Sequence, residues 1–420
     1  MRALMLTPDE GHLDRRIAQE AGTLAAHGWE VDIYPAVDSS LDYEADLPPG
    51  VRLVVNPGPM RSAGRRRSLL RRVKRTLARV LSPAAQIVEW MQYRTRDIGN
   101  EISDANLSHL IGLGRFDLIF AHDVPVMPLA VRLKDALQST LISDLHEVFP
   151  EQDEHFTTRT AREYWRRLEA AGLGASDGII CVNEAVADYV RATHAPTAPI
   201  VVIDNSAPYV KPSATDPTVR SYYPIPDSAR IMLFVGSLRA DTHVQVLVEG
   251  FAIANLDGWV LAILGGGPLQ RDLEAMIRRL GLDGRTFIGR HVPQGDLIQV
   301  AASADIGVLP YQAFGFNHMI ATPNKLFEYI QARLPIATSR LPMVERVVRV
   351  HGNGAFVDLS TPVATAAGLT AFVRDVAPGI TPAALEAAAR EFSWENQESV
   401  LLGLVDQVMT PRAGVARSSR

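Results

Sequence analysis

Cysteine is almost absent from this chain. Cys181 is the one thiol in 420 residues, so neither an internal disulfide nor a thiolate metal cage can form. No stretch approaches the ~18 uninterrupted apolar residues that a membrane-spanning helix needs. No Asp-x-Asp pair occurs anywhere. Hard cations such as Mg2+ and Mn2+ want carboxylate oxygens, and that pair commonly holds such an ion together with a diphosphate. His-Glu-x-x-His and Gly-x-x-x-x-Gly-Lys-Ser/Thr are missing too, which argues against a zinc-peptidase helix and a P-loop. The first strand-to-helix turn, Thr7-Pro8-Asp9-Glu10-Gly11-His12, lacks the spaced glycines of a dinucleotide fingerprint. Hydride chemistry on a nicotinamide is therefore not the reading.

Acidic residues are absent between Asp46 and Glu89. That gap holds Arg52, Arg61, Arg65, Arg66, Arg67, Arg71, Arg72, Lys74, Arg75 and Arg79. Leu69, Leu70, Val73, Leu77, Val80 and Leu81 recur there at three- and four-residue spacing, which predicts an amphipathic basic helix. Residues 61–80 can be read as a docking face for an anionic membrane surface or as a solvated helix face. Nucleic acid is not expected as a partner, because no aromatics interleave with the basic residues and no nucleic-acid motif is recognisable.

The rest of the composition is that of a soluble globular protein: 47% hydrophobic, 21% charged, net charge -5. With 30 Gly and 27 Pro it is neither disordered nor collagen-like. The length suggests two or three domains. The opening, Met1 to Glu10, is apolar for too short a span to be a secretory signal and runs straight into acids. It reads as a first strand of a protein that stays in the cytoplasm, with the inner membrane face as a peripheral location through residues 61–80.

Short apolar runs alternate with helical segments. Strands are predicted at 2–7, 30–35, 51–55, 117–121, 140–144, 178–182 and 200–203, with helices at 14–27, 125–138 and 184–193. A stretch with Pro208, Pro212, Pro217, Pro224 and Pro226 then reads as a linker. The alternation restarts with strands at 231–235, 259–264, 286–288, 305–309, 335–338 and 355–357, and helices near 242–254, 268–280, 295–302 and 324–332. This is the pattern of βαβ units. The fold class is α/β, with two doubly wound Rossmann-like domains facing an interdomain cleft. The expected divisions are 1–204, a linker at 205–230, 231–390, and a last helix at 391–410 crossing back to the first domain. The tail 411–420 is expected to be disordered.

Ligands of such sheets sit at the carboxyl ends of the strands, and the candidate residues cluster there. Leu264 is followed by Gly265, Gly266, Gly267 and Pro268. Glycines let a ligand approach the backbone, and the helix that follows offers free N–H groups to an anion. Phe234-Val235-Gly236-Ser237-Leu238 is a second such exit. A sharper segment is Thr322-Pro323-Asn324-Lys325-Leu326-Phe327-Glu328-Tyr329. With Thr322 as N-cap and Pro323 in the first turn, Asn324 and Lys325 lie where a diphosphate can bind. Glu328, three residues past Lys325, shares that side of the helix and can accept hydroxyl hydrogens of a ribose. In the first half, His122-Asp123 and Asp144-Leu145-His146-Glu147 each follow a predicted strand. An unperturbed imidazole has a pKa near ~6.5 and exchanges a proton at neutral pH. Glu147 either orients an imidazole or caps the following turn.

In order and spacing these segments resemble the family-four glycosyltransferases, retaining enzymes with the two-domain GT-B fold. The resemblance covers most of the chain. It includes Asp14-Arg15-Arg16-Ile17, His27-Gly28-Trp29, His122-Asp123, Asp144 to Pro150, Gly236-Ser237, Gly265 to Pro268, Gly289-Arg290-His291-Val292, Ala302 to Pro310, and Phe392-Ser393-Trp394-Glu395. Thr322 to Tyr329 is the most specific match. The resemblance implies a nucleotide-sugar donor held mainly by the second domain. Glu328 would take the ribose, the backbone at His291 and Val292 the base, and Gly236-Ser237 with Pro323, Asn324 and Lys325 the diphosphate. His146 would face the donor sugar, and His122 would lie near acceptor or sugar. Lys325 would stabilise charge on the leaving diphosphate, with no metal and no cofactor. The implied acceptor is an envelope glycan, a lipid-linked molecule or a secondary metabolite, with polysaccharide biosynthesis as the setting.

The chain departs from the family pattern in two places. The first of two glutamates often found on that helix is Ile320 here. A basic pair usual after the Gly236 strand falls on Ser237 and Thr242, where Arg239 or His243 are the available substitutes. Those departures keep two alternatives open: a catalytically silent GT-B protein acting as a scaffold or binding partner, and a non-transferring enzyme of the same fold such as a nucleotide-sugar epimerase.

Overall fold

The computed structural model describes residues 1–8, 14–35, 47–54, 104–152, 159–213, 215–313 and 315–410. The basic stretch 61–80 and the tail 411–420 lie outside the described residues.

The described residues divide into two units, one of residues 1–203 with 398–420, the other of residues 204–397. In the first unit the order is β1 (Arg2–Thr7), α1 (Arg15–Ala26), β2 (Glu30–Pro35), β3 (Val51–Leu53), α2 (Asp104–Gly112), β4 (Leu118–His122), α3 (Met127–Leu137), β5 (Thr140–Leu145), α4 (Arg159–Ala175), β6 (Gly178–Cys181), α5 (Glu184–His194) and β7 (Ile200–Val202). The sheet runs β3-β2-β1-β4-β5-β6-β7 and every pairing is parallel. Helices cover both faces of such a sheet, which explains why β1, β4 and β6 are near-continuous apolar runs instead of alternating ones. The order reverses between β1 and β4, and crevices for ligands open at such reversals.

The second unit repeats the scheme: β8 (Arg230–Val235), α6 (Val244–Ala254), β9 (Trp259–Leu264), α7 (Gln270–Arg279), β10 (Thr286–Arg290), α8 (Leu297–Ala301), β11 (Ile306–Leu309), α9 (Phe316–Ile320), α10 (Asn324–Gln331), β12 (Ile336–Thr338), α11 (Pro342–His351), β13 (Gly354–Phe356), α12 (Pro362–Ala371), α13 (Pro382–Glu391) and α14 (Trp394–Met409). The sheet order is β10-β9-β8-β11-β12-β13, again parallel, with its reversal between β8 and β11. Alternation along β8 feeds two cores. Ile231, Leu233 and Val235 pack on one face with Leu326 and Tyr329, while Met232 and Phe234 pack on the other with Leu247 and Phe251.

The proline-rich stretch after residue 204 is not a free tether. Val219, Tyr223 and Ile225 are buried in the core of the second unit, and the Tyr223 hydroxyl donates to Ile263 O at 2.7 Å. The last helix starts in the second unit, where Trp394 N donates to Ala207 O at 2.9 Å. From Glu398 it belongs to the first, where Thr23 Oγ1 donates to Glu398 Oε1 at 2.7 Å.

Candidate active site

Two clusters of polar groups form, one at the carboxyl edge of each sheet. In the second unit, β8 leads into Gly236 and β9 into Gly265, and the two exits touch. A β-carbon on Gly265 would stand 2.0 Å from Gly236 O, and one on Gly267 2.6 Å from Leu238 O. Only glycine permits backbones to approach so closely. Gly236 N donates to Leu264 O, Leu238 N to Gly266 O and Gly265 N to Arg290 O, at 2.8 to 3.0 Å. These bonds bring the ends of β8, β9 and β10 together. Ser237, Arg239, Gly267 and His291 are exposed along this edge, and Val292 is buried.

Helix α10 joins the same edge. Its N-cap is Pro323, not Thr322, and the helix begins at Asn324. Thr322 is buried with its carbonyl accepting from Asn205 Nδ2 at 3.3 Å. Pro has no N–H to satisfy, so an extended Pro323 enters the helix without a side-chain cap. The consequence is that Asn324 and Lys325 occupy the first turn, where backbone N–H groups and the helix dipole favour an anion. Lys325 lies directly over the β8 exit: its Cε is 2.5 Å from where a β-carbon on Gly236 would be. Glu328, one turn on, is 5% exposed and accepts from Gln294 Nε2 at 3.3 Å. Tyr329 fixes the helix, its hydroxyl accepting from Val235 N at 2.8 Å and donating to Leu233 O at 3.1 Å. Gly236, Gly265, Gly267, Pro323, Asn324, Lys325 and Glu328 are thus gathered at one sheet edge. Ile320 is buried at 6%.

In the first unit the register sets His122 of β4 opposite Asp144 of β5. His122 Nδ1 lies 3.1 Å from Asp144 Oδ2, and His146 Nε2 lies 2.8 Å from the same oxygen. Arg16, two residues past the α1 N-cap Asp14, forks onto Asp144 through Nη2 at 2.6 Å and Nε at 3.0 Å. Its Nη1 donates to Ile203 O at 2.5 Å. Glu20, one helical turn from Arg16, lies 3.3 Å from Arg16 Nε. Asp123 completes the group. Its backbone sits at φ 62, ψ 166, a region costly for a non-glycine residue. Two bonds hold it there: Asp123 N donates to Asp144 O at 2.8 Å, and Asp123 Oδ1 accepts from His146 N at 2.9 Å.

Burial and charge set the protonation of this cluster. Burial alone would raise Asp144, but the Arg16 guanidinium and His146 overcome it and hold the carboxyl well below its usual range. Burial likewise works against a charged His146, yet Asp144 and Asp123 push it up to about 10. His122 is lowered, chiefly by burial. Glu20 is raised to about 8 and Asp123 to about 7, again chiefly by burial.

These placements revise parts of the sequence reading. His122 is fully buried; it meets the His146 ring edge-on, with centroids 5.6 Å apart, and shares Asp144 with it. The acids that orient His146 are Asp144 and Asp123. Glu147 accepts instead from Gln152 Nε2 in the following turn. Asp144 and Asp123 raise His146 above the ordinary imidazole range on which the sequence reading rested. Arg16 and Asp144 lie in segments that the sequence marks, but it assigns no role to them or to Glu20. The clue available was an arginine next to a helix N-cap, facing an acid at a strand end, but nothing in one sequence pairs residues 128 positions apart. His122, Asp144 and His146 also offer three ligand atoms within 4.8 Å of one another. Both Asp144 oxygens already accept from Arg16, so a cation occupies the carboxylate that a metal would need. A Gly-x-Ser-x-Gly pattern does occur, at Gly174 to Gly178. It lies on a helix-to-strand turn, the reverse of a strand-to-helix nucleophile elbow. There Ser176 Oγ donates to Gly172 O and lies 2.7 Å from Ser143 Oγ.

Two doubly wound units, each with its polar cluster at the carboxyl edge of a parallel sheet, define the GT-B class of architecture. Residues 13–206 match the family described as "Glycosyl transferase 4-like domain". Residues 216–392 match "Glycosyl transferases group 1". The chain belongs to the group-1 glycosyltransferases of GT-B fold. No curated protein matches it. Among solved structures it is similar to sucrose-phosphate synthase from Thermosynechococcus elongatus, at 17% identity and TM-score 0.68 over 97% of this chain and 98% of that one. Anabaena HepE in complex with UDP-glucose is similar at 14% identity and TM-score 0.68, over 97% and 100%. A glycosyltransferase from Rickettsia africae is similar at 13% identity and TM-score 0.65, over 98% and 99%.

Proposed function

We propose that this glycosyltransferase takes its sugar from a nucleotide-sugar donor and passes it to a glycan or lipid-linked acceptor, without a metal and with retention of anomeric configuration. The observation that carries the donor assignment is the seat of Lys325 over Gly236 at the start of α10, with Glu328 one turn further. An ammonium and the free N–H groups of a helix N-terminus are what a diphosphate needs. A buried carboxylate a turn away suits the paired hydroxyls of a ribose. As the bond from the sugar to the diphosphate breaks, negative charge builds on the departing phosphate. Lys325 and the first turn of α10 are preorganised to stabilise it. The absence of Asp-x-Asp from the sequence favours this amine-and-dipole arrangement over a carboxylate-held ion. Anabaena HepE, solved with UDP-glucose, makes UDP-sugars the first donors to try. Arg239, Ser237, Gly265, Gly267, His291 and Val292 complete the donor residues under this reading. His146 is the charged contribution of the first unit, and residues 61–80 serve as a contact to an anionic membrane surface.

The test is donor hydrolysis and transfer with a panel of nucleotide sugars, comparing wild type with Lys325→Ala and Glu328→Ala. Lys325→Ala is expected to lose roughly 10²- to 10³-fold in kcat. Glu328→Ala is expected mainly to raise KM for the donor. Unchanged turnover in both variants removes the assigned site. Calorimetry with UDP, GDP and dTDP separates this reading from a silent scaffold, which would give no heat with any of them.

A further inference from the structure

The cluster in the first unit holds more order than a single edge histidine requires. Both ring nitrogens of His146 face acids: Nε2 is 2.8 Å from Asp144 Oδ2, and Nδ1 is 3.8 Å from Asp123 Oδ2. An ionised carboxylate can only accept, so Nε2 must carry hydrogen when it bonds to Asp144. Asp144 is fully buried and gripped by the Arg16 fork, which keeps it ionised. Arg16 is fixed in turn by Ile203 O. His122 supplies a further bond to Asp144 through Nδ1, while its Nε2 is buried with no partner among the described residues, the pattern of a neutral imidazole. The backbone of His146 is latched separately by Asp123 Oδ1.

We propose that Asp144 and Arg16 are positioning residues that hold His146 as an imidazolium at the edge of the first sheet, where it serves the transfer reaction as a fixed cation and exchanges no proton. The functional half of this inference rests on the glycosyltransferase reading above. Among the described residues, the titratable groups that act on His146 are Arg16 and Glu20 from α1, His122 and Asp123 at the end of β4, and Asp144 from β5. Of these, Asp144 is the one acid held ionised by a guanidinium. Asp123 and Glu20 are both raised by burial. The upward shift of His146 to about 10 agrees with the geometry.

The deciding measurement is a histidine-ring NMR titration of the full chain with no substrate present. Wild-type His146 is expected to keep imidazolium shifts up to about pH 8.5, and Asp144→Asn to bring its midpoint down toward the ordinary ~6.5. A wild-type midpoint near ~6.5 overturns the proposal without any variant. Where Asp144→Asn does not fold, Arg16→Lys, which keeps the charge and loses the fork, is expected to lower the same midpoint. In turnover, wild-type kcat is expected to stay flat from pH 6 to 8. Asp144→Asn should lower kcat roughly 10²-fold with little change in donor KM, and Asp144→Glu should restore part of the loss. Unchanged kcat in Asp144→Asn overturns the positioning role. A wild type that turns over no nucleotide sugar sinks the transferase reading alone, because the titration needs no substrate.

Discussion

The Cε of Lys325 lies 2.5 Å from the point where a β-carbon on Gly236 would stand. The exit of β8 and the first turn of α10 are therefore one surface, built by leaving out a side chain on one partner so that the other can cross it. Gly236→Ala tests this directly. The atom in the way is the far end of a flexible chain, but Gly236 sits at φ 154, so the substitution should cost about 1–3 kcal/mol of backbone strain as well as displacing the ammonium. We expect UDP affinity to fall at least ~10-fold by calorimetry, the scale of one charged hydrogen bond. An unchanged affinity would separate Lys325 from the anion site.

Gly265→Ala should be costlier still. Its β-carbon would stand 2.0 Å from the Gly236 carbonyl oxygen, at φ 138, and backbone cannot step aside as a lysine tip can. A loss of about 1–3 kcal/mol or more is expected in urea denaturation. Wild-type stability in this variant would mean that the two strand exits do not touch.

Tyr329→Phe removes the hydroxyl that bridges Val235 N and Leu233 O. Both backbone groups are buried, and an orphaned N–H there costs about 1–3 kcal/mol. The denaturation midpoint should drop accordingly, and donor KM should rise because α10 loses its hydrogen-bonded tie to β8.

The buried cluster gives stability a pH dependence of definite sign. The folded-state pKa of His146 is raised to about 10. Its contribution is present in full below the unfolded value of ~6.5 and is lost as pH rises through about 10. Glu20 is raised from 4.5 to about 8, so its protonated form is favoured and stability is lost between those values as pH rises. His122 is lowered, so its contribution is present above ~6.5 and fades as pH falls. Glu20→Gln should flatten the decline between about pH 5 and 8, and His146→Gln the decline between about pH 6.5 and 10. Denaturation midpoints across a pH series provide the check, and a Glu20→Gln slope equal to wild type would contradict the assignment.

Residues 61–80 carry the membrane prediction by charge alone. At about 1 kcal/mol per basic residue near an anionic surface, flotation with anionic vesicles should be strong and salt-sensitive. Neutralising the basic residues between 65 and 75 should abolish it. Retained binding in that variant rules the contact out.

Much of the architecture was readable in one dimension because it rests on local rules. Parallel strands buried on both faces are rich in apolar residues, and the predicted bounds 2–7, 30–35 and 259–264 match β1, β2 and β9, although β2 also buries Asp32. Gly265 to Pro268 and Pro323 to Glu328 were visible as ligand-edge segments because glycine, proline and a charged first turn act within a few residues of themselves. The cap of α10 was misplaced by one residue, since Thr322 is an able capping side chain and only the observed backbone shows Pro323 in that role.

The sequence by itself determined that the chain would form two doubly wound units with charged groups at the carboxyl ends of their strands, for that outcome needs only periodicity and turn chemistry. Tertiary structure alone decided what those groups do to one another. Arg16 meets Asp144 because α1 follows the strand at the sheet's reversal point, and His122 meets it because β4 and β5 pair in one register. A pKa depends on distance and burial, so a histidine that reads as a neutral-pH acid or base is raised above that range once Asp144 and Asp123 stand beside its ring.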